Sequence, residues 1–167
     1  IPDEGTLYIG LSHLTPGANL NLLFQVAEST ADPFLPKATL SWCYLRNNHW
    51  KELVPDIDIL FDGTNGLIES GIVEIAIPFD ITLGNTILSP DLHWIKVAVK
   101  NGARAIAQTI QLVTQAGKVV FMPNAQSDLM RLGEPLAAGS ISAPVQSIAE
   151  IQGIEQPYKS FDGRAKE

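Results

Sequence analysis

The feature that most constrains this chain is a rhythm: apolar and aromatic runs of five to nine residues recur between clusters of Gly, Pro, Asn and Asp. In "LNLLFQVAE" (20–28), Leu20, Leu22, Phe24 and Val26 alternate with Asn21, Leu23, Gln25 and Ala27. That two-residue period belongs to a strand with one face turned inward. "ATLSWCYLR" (38–46) sets Leu40, Trp42 and Tyr44 against Thr39, Ser41 and Cys43, and "SGIVEIAIP" (70–78) sets Ile72, Glu74 and Ala76 against Val73, Ile75 and Ile77. "TLYIGL" (6–11), "HWKEL" (49–53), "IDILF" (57–61), "HWIKVAVK" (93–100) and part of "TIQLVTQA" (109–116) complete the set. Asn47-Asn48 tolerates the left-handed backbone of a tight turn and predicts a hairpin between the third and fourth runs. The expected fold is mainly β, an antiparallel β-sandwich of about seven to nine strands. "GARAIAQTI" (102–110) is ambiguous, because Ala and Ile recur there at helical spacing over too short a span.

Past about residue 121 the character changes. From Met122 to Pro157 there is no Trp or Phe, and small and polar residues dominate. Such a stretch cannot form a dense core by itself and reads as an extended connector. The expected organisation is a β-sandwich domain over 1–121 and, over 122–167, a connector with the start of a following region, the boundary lying near 118–125. The chain opens on Ile1-Pro2 and closes on "PYKSFDGRAKE" (157–167), which suggests an internal piece of a longer protein.

The net charge of -7 and the lack of any Lys/Arg cluster remove the electrostatic footprint of a nucleic-acid binder and make an anionic membrane a poor partner. No apolar run approaches the roughly 18 residues that span a bilayer. With 46% hydrophobic and 17% charged residues, the surface is expected to be covered in part by neighbours. The single cysteine, Cys43, sits in the apolar run "TLSWCYL" and reads as a buried or strand-facing residue without a basic partner to activate it.

Catalytic and metal chemistry find little to rest on. His13, His49 and His93 stand alone, without zinc-ligand spacing, and read as solvent-facing or edge-strand residues. Asp56, Asp58 and Asp62 in "PDIDILFDG" have Ile59, Leu60 and Phe61 where a calcium loop alternates oxygen ligands, so they read as turn carboxylates around a strand. "DGTNG" (62–66) is expected to use Asp, Asn and Gly for positive backbone angles. Glu28, Asp32, Glu69 and Glu74 could be paired for acid–base work, but nothing selects a pair. Nucleophile-elbow, dinucleotide and phosphate-loop patterns are absent. We therefore expect no enzyme and no cofactor.

The aromatics are more informative. Trp42 and Tyr44 alternate as core anchors would, whereas Trp50, beside Asn48 and Lys51, is the exposed candidate. If Trp50 and Trp94 lay coplanar on an open face, the module could bind carbohydrate or a cell surface.

Several landmarks in one order resemble a known family. "LYIGLSHLTPGANLNLLFQVAESTADP" (7–33), "LSWCYLRNNHWKEL" (40–53), "DGTNGLIESGIVEIAIP" (62–78), "LHWIKVAVK" (92–100), "GEPLAAGSIS" (133–142) and "IQGIEQPYKSFDGR" (151–164) are similar to the baseplate J-like wedge protein of contractile injection systems. These are the phage-tail-like particles typified by the antifeeding prophage and the Photorhabdus virulence cassettes. The resemblance covers nearly the whole chain, and none of its landmarks is catalytic. It implies a structural subunit that packs with other baseplate wedge and hub proteins, in a particle assembled in the bacterial cytoplasm and open to release outside the cell. The interface candidates under that reading are Trp50, Tyr158 and Phe161, the last two with the alternative of belonging to the core of a following domain.

Overall fold

The structure, a computed structural model, describes residues 2–27, 29–120, 122 and 134–160. Eight strands form among the described residues, in chain order: β1 (Gly5–Leu11), β2 (Asn19–Ala27), β3 (Thr39–Arg46), β4 (His49–Glu52), β5 (Ile59–Asp62), β6 (Gly71–Ala76), β7 (His93–Asn101) and β8 (Gln108–Thr114). They make two four-stranded antiparallel sheets, one ordered β1-β7-β3-β4 and the other β5-β6-β2-β8. This is the mainly-β sandwich the alternation predicts. The ambiguous 102–110 segment divides into a 3-10 turn at Ala103–Ala105 and the first residues of β8.

The inward alternation sets are the core. Leu20, Leu22, Phe24 and Val26 of β2 and Val73 and Ile75 of β6 meet Ile9 and Leu11 of β1, Trp42 and Tyr44 of β3, and Ile95 and Val97 of β7. Leu22, Phe24, Val73, Ile75 and Ile95 are wholly buried, and each such side chain contributes roughly 1.5–3 kcal/mol by leaving water. Phe24 and Trp42 join the two sheets edge to face, ring centroids 6.0 Å apart.

Local chemistry sets the connections. Asn47 and Asn48 take positive φ, 46° and 64°, so the β3–β4 hairpin has the two-residue left-handed turn that matches strand twist. In the "DGTNG" turn positive φ falls on Asn65 and Gly66 and continues into Leu67. Asp62 serves there as an acceptor: its carboxylate takes the backbone N–H of Thr64 and of Gly66 as well as the Thr64 hydroxyl.

The chain divides into two compact units, Ile1–Lys118 and Val119–Glu167. Within the described part of the second unit the chain forms turns without helix or strand. Leu136 and Ser160 exchange hydrogen bonds, Ser160 N to Leu136 O at 2.9 Å and Leu136 N to Ser160 Oγ at 2.7 Å. Gly139 N donates to Gln156 O, and the Gln156 side chain accepts from Ile141 N.

Candidate functional site

The outward face of the β1-β7-β3-β4 sheet is built differently from an ordinary solvent face. Alternation from Tyr44 turns Cys43 and Leu45 outward, and alternation from Val97 does the same for Ala98. Yet Leu45 and Ala98 have no exposed surface and Cys43 is buried. Tyr8, Trp50, Trp94 and Lys96 project from the same face, Trp50 beside Leu45 and Lys96 beside Cys43.

Tyr8 and Trp50 stand on the two edge strands, β1 and β4, with β7 and β3 between them. At about 4.8 Å per strand spacing, their backbones are roughly 14 Å apart. Both side chains lean inward across that gap, and their ring centroids come within 5.7 Å at an interplanar angle of 47°. Lys96, the register partner of Tyr8, places Nζ 5.0 Å from the Trp50 ring centroid, a cation–π contact. Trp94 pairs with Gly10, and its ring occupies the space a Cβ there would need, so the glycine lets the indole lie down on the sheet. The indole N–H donates to Ser89 O at 2.9 Å.

Ser89 belongs to the 79–92 loop between the sheets, which is fixed to the β3–β4 hairpin along much of its length. The Tyr44 hydroxyl donates to Asp80 Oδ1 at 2.8 Å while Arg46 pairs with Asp80 Oδ2 at 2.7 Å. Burial first, and then this bond to a carboxylate, raise the Tyr44 phenol to about 12. The same bond, ahead of the Arg46 charge, lowers Asp80. Asn47 N donates to Thr82 Oγ1, Thr82 N to Leu45 O and Thr86 N to Asn48 Oδ1. Buried Asn85 accepts from Ile87 N and Leu88 N and donates to Ser89 O. The hairpin asparagines thus set the turn and also anchor the loop.

Trp50, expected as the exposed aromatic, is half-buried within this aromatic roof. Trp94 is half-buried too, with its six-membered ring against Gly10. Tyr158, in the other unit, is 38% exposed, and burial of its ring raises the phenol. Phe161 lies outside the described residues. Tyr8 and Lys96 were not among the expected interface residues. Their outward direction follows from alternation, but their meeting with Trp50 depends on a strand order that no local pattern carries.

Elsewhere the polar candidates are engaged locally. Asp32 pairs with Arg104 at 3.0 Å and accepts Phe34 N, Glu69 accepts from Asn65, and Glu74 accepts from Asn19. Asp58 accepts Val54 N at 2.7 Å. Glu28 lies outside the described residues. Among the described residues no group of three or more His, Cys, Asp or Glu is placed to hold a metal. His13 and His49 are exposed, but His93 differs from the sequence expectation: it is buried on central strand β7, where desolvation lowers its pKa. An open groove of about 490 Å³ at the β3 and β5 side has Leu40, Trp42, Ile59, Leu60 and Phe61 along it, with Lys37 at its rim. The Lys37 ammonium donates to Asn65, and Asp62 is committed to its own turn.

Fold and surface together define a β-sandwich module whose distinctive exposed chemistry is aromatic and apolar. The family model of the PVC11-like baseplate protein matches residues 3–167, and the chain belongs to that family. It is a baseplate protein, with a structural role in a phage-tail-like contractile injection particle. No curated protein is significantly similar to the chain. No helix among the described residues is long and apolar enough to cross a membrane.

Proposed function

We propose that the chain is a non-catalytic part of a J-like wedge protein and that it works by binding other wedge and hub subunits, with the Tyr8–Trp50 face as a contact surface. The observation that carries this reading is the aromatic roof with Lys96. It is a partly exposed, preorganised set of large side chains, and Trp and Tyr dominate the energetics of protein interfaces. Tyr158 is a second contact candidate, and Phe161 remains one by sequence. The sandwich over 1–121 is the folding unit and 122–167 the lead into the next region of the wedge. Assembly takes place in the cytoplasm, and the finished particle can leave the cell.

Glycan binding competes for the same aromatics, but it needs an open ring face, and Lys96 lies over that of Trp50. The test compares Trp50→Ala with Leu45→Ala in co-assembly with the other baseplate subunits. Both variants lose packing, so a shared loss of stability is expected. Only Trp50→Ala is expected to weaken subunit binding, by about tenfold or more as for an interface anchor. Equal binding by both variants and the parent chain would remove this face from the interface. Retention on immobilised glycans that Trp50→Ala abolishes would favour the competing reading.

A further inference from the structure

The sandwich has four edge strands, and three of them are finished in recognisable ways. β4 is four residues long and carries Lys51 and Glu52. β5 is equally short, and the 54–58 turn folds back on it, with Ile59 N donating to Val54 O and Asp56 N to Ile59 O. β1 buries Ile9 and Leu11 and is held across its sheet by Tyr8.

β8 differs. Of its seven residues, QTIQLVT, only Leu112 is half-buried, and Ile110 and Val113 are exposed to 62% and 39%. It contains no charge and no proline, two of the devices that stop an edge from pairing, and the bulge it does carry is confined to Ile110. The adjoining outward residues of β2, Asn21, Leu23, Gln25 and Ala27, add no charge. In a chain of net charge -7, this is a neutral strip two strands wide, and depletion of charge marks the centre of protein interfaces. On the same strip Asn21 donates through Nδ2 to Ala116 O, while its buried Oδ1 has no donor among the described residues.

Among the described residues no strand pairs with the outer side of β8, which offers backbone N–H and C=O groups in strand geometry, and the group that meets such a row is another extended backbone. We propose that β8 is an acceptor edge: an extended segment of a different chain adds to this sheet as its fifth strand. The segment is neutral, with apolar side chains at alternate positions, one set beside Leu112 and the other beside Val113. The bulge opposite Gln25 and Val26 makes Ile110 the extra residue, so regular pairing runs along Gln111–Thr114. The inference rests on the reading that this module works through protein contacts, and it names one contact and its mode.

Hydrogen exchange read by mass spectrometry compares the full chain alone with the same chain in the assembled baseplate. Peptides covering 108–115 are expected to exchange about tenfold more slowly after assembly, as backbone groups gain partners. The double variant Ile110→Lys/Val113→Lys, at positions that bury little, is expected to keep the parent melting profile and to lose that protection. Unchanged exchange of β8 on assembly, or equal protection of the charged variant, overturns the proposal. Protection that grows with concentration in the isolated chain assigns the edge to a second copy and also overturns it. If β8 stays unprotected while the Tyr8–Trp50 face becomes protected, only this inference falls. If neither changes, the contact reading falls with it.

Discussion

Leu45 points away from the sandwich core, so its replacement tests whether the outer face of its sheet is a packed layer. On an open solvent face, Leu45→Ala would stay within about 0.5 kcal/mol. Here Leu45 has no exposed surface, is the register partner of Trp50, and gives its carbonyl to Thr82 of the 79–92 loop. Truncation removes three carbons from a site beside Trp50, whose ring is held against Tyr8 and Lys96, so collapse into the space is restricted. A core-like loss of about 2–5 kcal/mol is therefore expected. Trp42, Trp50 and Trp94 all lie in the sandwich, so urea unfolding can be followed by tryptophan emission with far-ultraviolet circular dichroism as the second probe. At a slope of about 2 kcal/mol per molar urea, the midpoint should fall by roughly 1–2.5 M. Trp50→Ala in the Leu45→Ala background should cost less than it does alone, because the two side chains share one packing site. A loss below about 0.5 kcal/mol for Leu45→Ala would refute the claim that the outer aromatics form a second packed layer.

Other outcomes follow from the same geometry. Tyr44, raised from 10.0 to about 12, should stay protonated well above pH 10 by ultraviolet absorbance. Its folded-state pKa lies above the unfolded value, so its contribution is whole below pH 10 and is lost as pH rises toward 12. Tyr44→Phe should flatten that alkaline limb. Asp80 is shifted the other way, so its contribution is present above the ordinary carboxylate value of 3.8 and disappears as pH falls through the lowered pKa, an acid limb that Asp80→Asn should remove. Gly10→Ala places a methyl 2.9 Å from the Trp94 ring and 2.8 Å from Leu92 Cδ1. It should cost about 1–3 kcal/mol in the same unfolding assay and shift tryptophan emission as the indole is displaced.

The fold was legible because most strands bury one face. The inward residues of β2, β3, β6 and β7 follow the alternation residue by residue, and Asn47-Asn48 announced its turn by composition alone. β8 was harder to bound, since a strand that buries only Leu112 leaves little periodic signal. His93 was misplaced for a related reason: whether a lone histidine lies on a central or an edge strand depends on sheet order. The candidate site was legible as single residues and not as a constellation. Trp50 stood out by its polar neighbours, but Tyr8 lies 42 positions earlier, and their meeting requires two intervening strands to be placed first. The "DGTNG" turn shows a subtler miss. Composition located it, while the acceptor role of Asp62 and the positive φ of Leu67 came from hydrogen bonding that composition does not encode.

The path of the chain has a mechanical consequence. The polypeptide enters the sandwich at β1 and leaves it at β8, edge strands of opposite sheets. Tension applied through the two ends cannot be carried by a single ladder of hydrogen bonds, because no ladder joins those strands. It must cross the layer where Phe24 meets Trp42, while the Tyr8–Trp50 bridge resists β1 being stripped sideways from its sheet. Pulled in this way, the module should yield by parting its two layers rather than by unzipping one strand at a time, with Phe24 and Trp42 setting the force at which it gives.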